Sequence, residues 1–384
     1  MLESMLSLPP LSLYIHIPWC IRKCPYCDFN SHESPENLPV DDYVIALLAD
    51  LSADAFMAQG RKIHSIFFGG GTPSLFPADA IAKILEGVDR IIGIENNAEI
   101  TLEANPGTAE NYRFIGLTDA GVNRLSIGVQ SFQNEHLQRL GRIHSRDDAS
   151  QAFDFAVQAG FNNINIDLMH GLPNQTPQQA MSDLEQAIRL GANHVSWYQL
   201  TIEPNTVFYR DTPLLPVDDI LLDIQDEGHA LLRTQGFEHY EVSAYCRDKR
   251  PAQHNLNYWH FGDYLAIGAG AHGKITYPEK NQITRFQKTR RPTDYLDANK
   301  SFTAKNSLLA KSELPFEFMM NALRLNKGVP WVLFTERTGL SREDMSDKLN
   351  ILITKKLMLD NYQRIQLTSL GQKFLNDVLE IMMD

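Results

Sequence analysis

Cysteine is scarce in this chain: four among 384 residues, three of them within eight positions. That count and crowding exclude a disulfide framework, which needs pairs spread along the sequence. Positive charge is short as well. Thirty-five basic residues against 47 acidic leave a net charge of −12, so the phosphate binding of a nucleic-acid protein is not expected. No uninterrupted apolar run reaches the length of a membrane span, so no transmembrane segment is expected. The opening MLESMLSLPP places an acid early and no basic region ahead of an apolar run, which fits neither a secretory nor a mitochondrial presequence. A cytoplasmic, reducing location is the expectation, and there clustered cysteines more often bind metal.

From residue 11 onward, short apolar strands alternate with amphipathic helical patterns. The strands are LSLYIHI (11–17), HSIFFGG (64–70), AEITLEA (98–104), RLSIGVQ (124–130), NINIDLM (163–169) and HVSWYQLT (194–201). Helical patterns fall near 41–58, 78–92, 108–120, 147–159 and 177–191. The strands read as apolar on both faces, as in a parallel sheet covered by helices. Strand–helix alternation of this kind predicts right-handed crossovers and an α/β sheet, open or closed into a barrel. After about residue 205 the alternation stops. A helix at 217–235 leads to a strand-like FEHYEVSAY (237–245) and an aromatic, glycine-rich stretch at 254–273. From about 310 the pattern is mostly helical, at 313–326, 338–357 and 368–382, with QRIQLT (363–368) as a small wing strand. Residues 310–384 hold ten basic and ten acidic residues, so a winged-helix-like tail would serve structure or docking rather than DNA.

Residues with chemical potential recur where strands end, the edge on which α/β folds build their sites. CIRKCPYCDFN (20–30) follows the first strand and spaces Cys20, Cys24 and Cys27 as Cys-x3-Cys-x2-Cys. Three thiolates can hold three irons of a [4Fe–4S] cluster and leave the fourth open to a small molecule. Structural zinc completed by His16 or His32 is the plainer alternative, but it usually draws on a second cysteine pair, and none is present. GGGTP (69–73) ends the second strand. There Gly70 and Gly71 would let backbone donors approach a ligand, and Thr72 could cap the helix that follows. Glu103 in LEANPG, Gln130 in SIGVQSF, Arg142 in LGRIHS and Asp167 in NIDLMHGLP each have an ordinary reading as cap, strand-end polar group, ion pair or satisfied buried acid. At successive strand ends they favour a polar ligand pocket facing the cysteines.

The cysteine spacing, with Tyr26 before the last cysteine, resembles the radical S-adenosylmethionine (radical SAM) superfamily. That resemblance implies a partial (β/α)6 barrel with a smaller, mostly helical, winged-helix-like C-terminal domain. It also implies a [4Fe–4S] cluster on Cys20, Cys24 and Cys27. S-adenosylmethionine would fill the open iron through its amino and carboxylate groups, and an electron from the cluster would cleave the sulfonium to methionine and a 5′-deoxyadenosyl radical. YIHIPWC, GGGTP, LEANPG, GVQSF with LGRIHS, and NIDLMHGLPNQT follow, in order, the motifs of the coproporphyrinogen III oxidase-like branch. By that likeness Tyr14, Gly70, Gly71, Thr72, Glu103, Gln130, Arg142 and Asp167 fall on positions that bind S-adenosylmethionine.

The branch holds an oxygen-independent oxidase, which decarboxylates coproporphyrinogen III, and heme chaperones of the HemW type, which bind heme and pass it to acceptor proteins. The oxidase carries a fourth cysteine two places after the third, where this chain has Phe29, and typically a longer N-terminal extension. HNLNYW (254–259) resembles the His-Asn-x-x-Tyr-Trp motif associated with heme in the chaperone type. His254, Asn255, Tyr258 and Trp259 are therefore the heme candidates, with an imidazole as axial ligand and aromatics against the porphyrin. A loop whose aromatics fill an interdomain gap is the plainer reading of the same residues. The expectation is a heme chaperone with a [4Fe–4S] cluster, S-adenosylmethionine and heme, serving acceptor hemoproteins, those of the respiratory chain among the candidates. The oxidase is the alternative. Whether cleavage accompanies heme transfer, and whether the chain forms a homodimer, stay open at this point. The expected division is 1–205 for the barrel, 206–309 for its extension with the heme stretch, and 310–384 for the tail.

Overall fold

The structure, a computed structural model, describes residues 6–108 and 111–383. Residues 1–5, read above for a presequence, and 109–110, within the helix expected at 108–120, lie outside the described residues. Parallel strands β1 (Leu11–Ile17), β2 (Ile63–Gly70), β3 (Ile94–Ala104), β4 (Arg124–Gln130), β5 (Ile164–His170) and β6 (His194–Gln199) lie side by side in chain order. The longer helices between them are α1 (Val40–Asp54), α2 (Ala78–Ile91), α3 (Asn111–Asp119), α4 (Arg146–Gln158) and α5 (Pro177–Leu190). Local chemistry sets their starts. Ser145 and Asp148 form a reciprocal capping box on α4, as do Thr176 and Gln179 on α5, where Pro177 takes the first helical position.

The strands are not apolar on both faces. Leu13, Ile15, Ile66, Phe68, Leu102, Leu125, Ile127, Ile166 and Val195 point outward into the main core with the helices. The alternate positions Ser12, Ser65, Glu99, Arg124, Ser126, Asn165, Asp167 and His194 are polar and bond to one another. A sheet covered by helices on both sides would have apolar residues at both sets of positions. Here one face bends around an interior that is polar.

The sheet extends well beyond the six strands. After α6 (Asp218–Thr234), a hairpin of β7 (Glu238–Glu241) and β8 (Ala244–Cys246) adds to β6 antiparallel. On the other side β9 (Asp263–Ile267) runs parallel to β1 and is followed by antiparallel β10 (His272–Tyr277), β11 (Gln282–Lys288) and β12 (Thr303–Leu308). The result is one twelve-stranded sheet, ordered β12-β11-β10-β9-β1-β2-β3-β4-β5-β6-β8-β7. The stretch read as an aromatic, glycine-rich connection at 254–273 thus supplies a helix, α7 (Gln253–Trp259), and the strand β9.

A second core gathers α8 (Leu314–Ala322), α9 (Trp331–Thr338), α10 (Ser346–Thr354) and α11 (Leu375–Met383), and takes in Leu6, Phe261 and Ile283. Val329–Pro330 pairs antiparallel with Arg364–Ile365, which puts the expected wing strand in place. The last helix is broken: Ser369–Lys373 ends at Phe374 before α11 begins. This region also lies along β7, through a bridge between Glu241 and Leu325 and bonds from the Val242 and Asn326 amides to the Arg324 and Tyr240 carbonyls.

Candidate functional site

The cysteine loop leaves the end of β1 and is closed on itself. Trp19–Cys20 pairs parallel with His32–Glu33, and the Cys27 amide bonds the Cys24 carbonyl at 3.1 Å. Asn30 Nδ2 donates to the Ala269 and Arg290 carbonyls at 2.9 and 2.8 Å, which ties the loop to the region after β9. All three thiols are free and half-buried. Burial pushes Cys20 and Cys27 upward, so neither is a ready thiolate without a cation to hold. His16, weighed as a zinc ligand, has both ring nitrogens engaged, Nδ1 with the Tyr14 hydroxyl at 3.0 Å and Nε2 with the Asn30 carbonyl at 2.9 Å. Among the described residues no three His, Cys, Asp or Glu side chains are gathered tightly enough for a single metal ion.

The Gly-Gly-Gly-Thr turn braces the cysteine loop. Its Gly71 and Thr72 amides bond the Ile17 and Trp19 carbonyls, each at 2.7 Å, so they are not the free donors the sequence suggested. A Cβ on Gly71 would come within 2.5 Å of the Trp19 carbonyl oxygen. Gly70, at φ +112°, turns its amide to Glu103 Oε2 at 3.2 Å. Thr72 makes no side-chain cap to the turn that follows it. Its hydroxyl instead accepts from Asn105 Nδ2 at 2.8 Å and bonds the Cys20 thiol, which lowers that thiol's pKa against the effect of burial.

Beneath the loop, at the carboxyl ends of the strands, is a cavity of about 420 Å³. Cys20, Cys24 and Cys27 line it, and so do seven of the eight residues expected at S-adenosylmethionine: Gly70, Gly71, Thr72, Glu103, Gln130, Arg142 and Asp167. The eighth, Tyr14, sits behind that wall, stacked on Phe67 and bonded to His16. Phe29 is on the rim, 58% exposed. Gln130 is aimed by strain: it adopts φ +71° at a bulge where β4 slips against β5. Arg142 reaches Cys24 Sγ at 3.7 Å, the Gly128 carbonyl at 2.6 Å and Asn105 Oδ1.

Four carboxyl groups line this cavity, those of Asp28, Glu103, Asp167 and Glu203. Burial, with the charge of Asp167 adding to it, pushes Glu103 up to about 8. Asp167 is also raised by burial, opposed by donors on Ser126 at 2.9 Å and Asn165 at 2.8 Å. A cationic ligand would favour both ionised forms. Sequence reading missed Asn105, Ser126 and Tyr198 on the same walls. Asn105 stands in the quoted LEANPG, and the strand-end argument, carried to β6, would have reached Tyr198.

HNLNYW is elsewhere. It forms α7 at the amino-terminal side of the barrel interior, and none of its residues lines the cavity. His254 is buried, with Nδ1 bonded to Ser65 Oγ at 3.0 Å and Nε2 to the Tyr258 hydroxyl at 2.8 Å. Burial holds it neutral, near a pKa of 3. Asn255 and Trp259 are half-buried, and Arg324 lies 4.4 Å over the Trp259 ring.

Residues 14–187 match the radical SAM superfamily, and residues 309–374 match the HemN C-terminal domain. The heme chaperone HemW of Haemophilus influenzae is 51% identical over 98% of this chain and 99% of its own. HemW of Escherichia coli is 49% identical over the same shares. Among solved structures, coproporphyrinogen III oxidase (HemN) of Escherichia coli, a radical SAM enzyme, covers 98% of this chain and 90% of its own at a TM-score of 0.82 and 23% identity, a likeness of fold. With half its residues shared over nearly full length, the chain belongs to the HemW family of the radical SAM superfamily.

Proposed function

We propose that this protein is a heme chaperone that carries a [4Fe–4S] cluster on Cys20, Cys24 and Cys27 and binds S-adenosylmethionine in the cavity below it. One observation carries the reading: three free thiols share a cavity with Glu103 and Asp167, and its rim holds Phe29 where the oxidase branch has a further cysteine. The donor set fits the group, with three soft ligands on a closed loop and space beside them. Such a cluster, when bound, offers an open iron and an electron to whatever chelates it. The chain supplies the rest. Glu103 and Asp167 attract a cationic sulfonium and amine or accept from ribose hydroxyls, Gln130 adds an amide, and Arg142 donates to Cys24 Sγ and holds it in place.

Heme is assigned to α7. His254 is neutral, the form in which an imidazole ligates iron, and it would coordinate once its Nε2 exchanges the Tyr258 hydroxyl for the metal. Asn255, Tyr258 and Trp259 would flank the porphyrin. Acceptor hemoproteins, those of the respiratory chain among them, action in the cytoplasm, a homodimer, and division at 1–205, 206–309 and 310–384 complete the reading. No helix among the described residues is long and apolar enough to cross a membrane.

The test is a heme titration into apo and anaerobically cluster-loaded protein, beside an incubation with coproporphyrinogen, reductant and S-adenosylmethionine. Heme uptake without decarboxylation is the expected result. Product at enzymatic rates would sink the chaperone reading in favour of the oxidase.

A further inference from the structure

A buried row of hydrogen bonds runs from the cavity to the start of α7, and its direction is fixed by its own chemistry. At the cavity end, Asn165 Nδ2 donates to Asp167 Oδ1 at 2.8 Å and to Ser126 Oγ at 2.7 Å. That sets the Asn165 amide, since a flip would place its carbonyl against a carboxylate. Asn165 Oδ1, left as acceptor, lies 2.6 Å from His194 Nδ1, so Nδ1 carries the proton. A neutral imidazole then has a bare Nε2, and the Tyr240 hydroxyl donates to it at 2.9 Å. The Tyr240 oxygen in turn accepts from the Ala252 amide at 3.3 Å. Ala252 is the N-cap of α7. Every donor in the row points toward Asp167, and His194, Asn165 and Ala252 are at most 1% exposed.

We infer that His194 and Tyr240 are positioning residues that tie Asp167 to the first turn of α7, so that filling the cavity and seating the His254 helix act on each other. The inference rests on reading the cavity as the S-adenosylmethionine site and extends it to regulation. The element with two states is the His194 tautomer. With the proton on Nδ1 the row is continuous, and with it on Nε2 both Tyr240 and Asn165 must turn. A ligand that draws Asp167 away from Asn165 removes what sets the amide and biases that choice, and the choice is felt at the Ala252 amide.

The experiment uses cluster-loaded full-length protein, free and saturated with S-adenosylmethionine, in wild type and Tyr240→Phe. Tyr240→Phe removes one hydroxyl and touches no cavity residue. Amide exchange at Ala252 should change by roughly fivefold or more on saturation in wild type, and the change should vanish in Tyr240→Phe. Nitrogen-15 spectra of histidine-labelled wild type should report His194 as the Nδ1–H tautomer, a readout that needs no variant. An unchanged Ala252 amide in a protein that binds the sulfonium, an equal change in both proteins, or an Nε2–H tautomer would each overturn the inference. Failure to bind the sulfonium at all would show directly in the titration. It would remove the cofactor reading, and this inference with it.

Discussion

The Gly70 amide donates to Glu103 Oε2 at 3.2 Å, so the turn that braces the cysteine loop also holds a cavity acid. Glu103 is raised from 4.5 to about 8 by burial and by Asp167. A carboxyl raised on folding contributes stability that is full below its unfolded pKa and is lost as pH climbs through the folded one. In the protein without cofactor, Glu103→Gln should therefore be neutral near pH 4 and more stable than wild type by about 1–3 kcal/mol at pH 8. Denaturant melts at the two pH values check this. The same variant should bind S-adenosylmethionine at least ~10-fold more weakly, through loss of a charge facing a cation.

Cys24→Ala should abolish retention of iron and sulfide after anaerobic reconstitution, while Cys246→Ala should retain both. Cys246 is buried on β8 and does not line the cavity. Equal iron loss in the two variants would point to unfolding rather than ligation.

Arg142 spans Cys24, Asn105 and the Gly128 carbonyl. There is no space beside that carbonyl, since a Cβ on Gly128 would approach Gln130 Nε2 at 3.1 Å and Asn105 Oδ1 at 3.2 Å. Arg142→Lys keeps the charge but loses the planar fork that serves three acceptors. It should lower cluster retention and cost about 1–3 kcal/mol of stability, read by iron content and melting temperature together.

His254→Ala leaves the Ser65 and Tyr258 hydroxyls short of a buried partner and should cost about 2–4 kcal/mol. Heme uptake by that variant must be scored well below its melting temperature. Tyr258→Phe is the cleaner probe, because it frees Nε2 and keeps the ring. It should take up heme as well as wild type or better, by Soret absorbance. Loss of uptake in Tyr258→Phe with a normal melt would count against His254 as the iron ligand.

The parallel strands were legible because each carries a β-branched, apolar run and most are followed by a chemically marked turn. Leu11–Ile17 and Arg124–Gln130 coincide with the expected spans, and the others differ at their ends. The polarity of the inner face was not legible, although Glu99, Thr101 and Glu103 on β3, and Arg124 and Ser126 on β4, stand at every second position. Serine and threonine in a strand look like propensity-neutral fillers until a partner is seen across the barrel. β9 was missed because DYLAI is only five residues between Gly262 and Gly268, and its pairing to β1 spans about two-thirds of the chain. At the site, motif residues were found, whereas the His194–Tyr240 row depends on contacts between distant strands that no local pattern encodes.

An open sheet has two raw borders, each a template for a stray strand from another molecule. β12 guards its own with a short, mostly exposed run bearing Lys305. β7 has no such protection, but the chain around Arg324–Asn326 is laid along it, through the Glu241–Leu325 bridge and the Val242 and Asn326 amide bonds. Truncation before residue 310 would therefore bare a sticky margin as well as remove a small core. Such a fragment should self-associate into β-rich aggregates even where its barrel is intact.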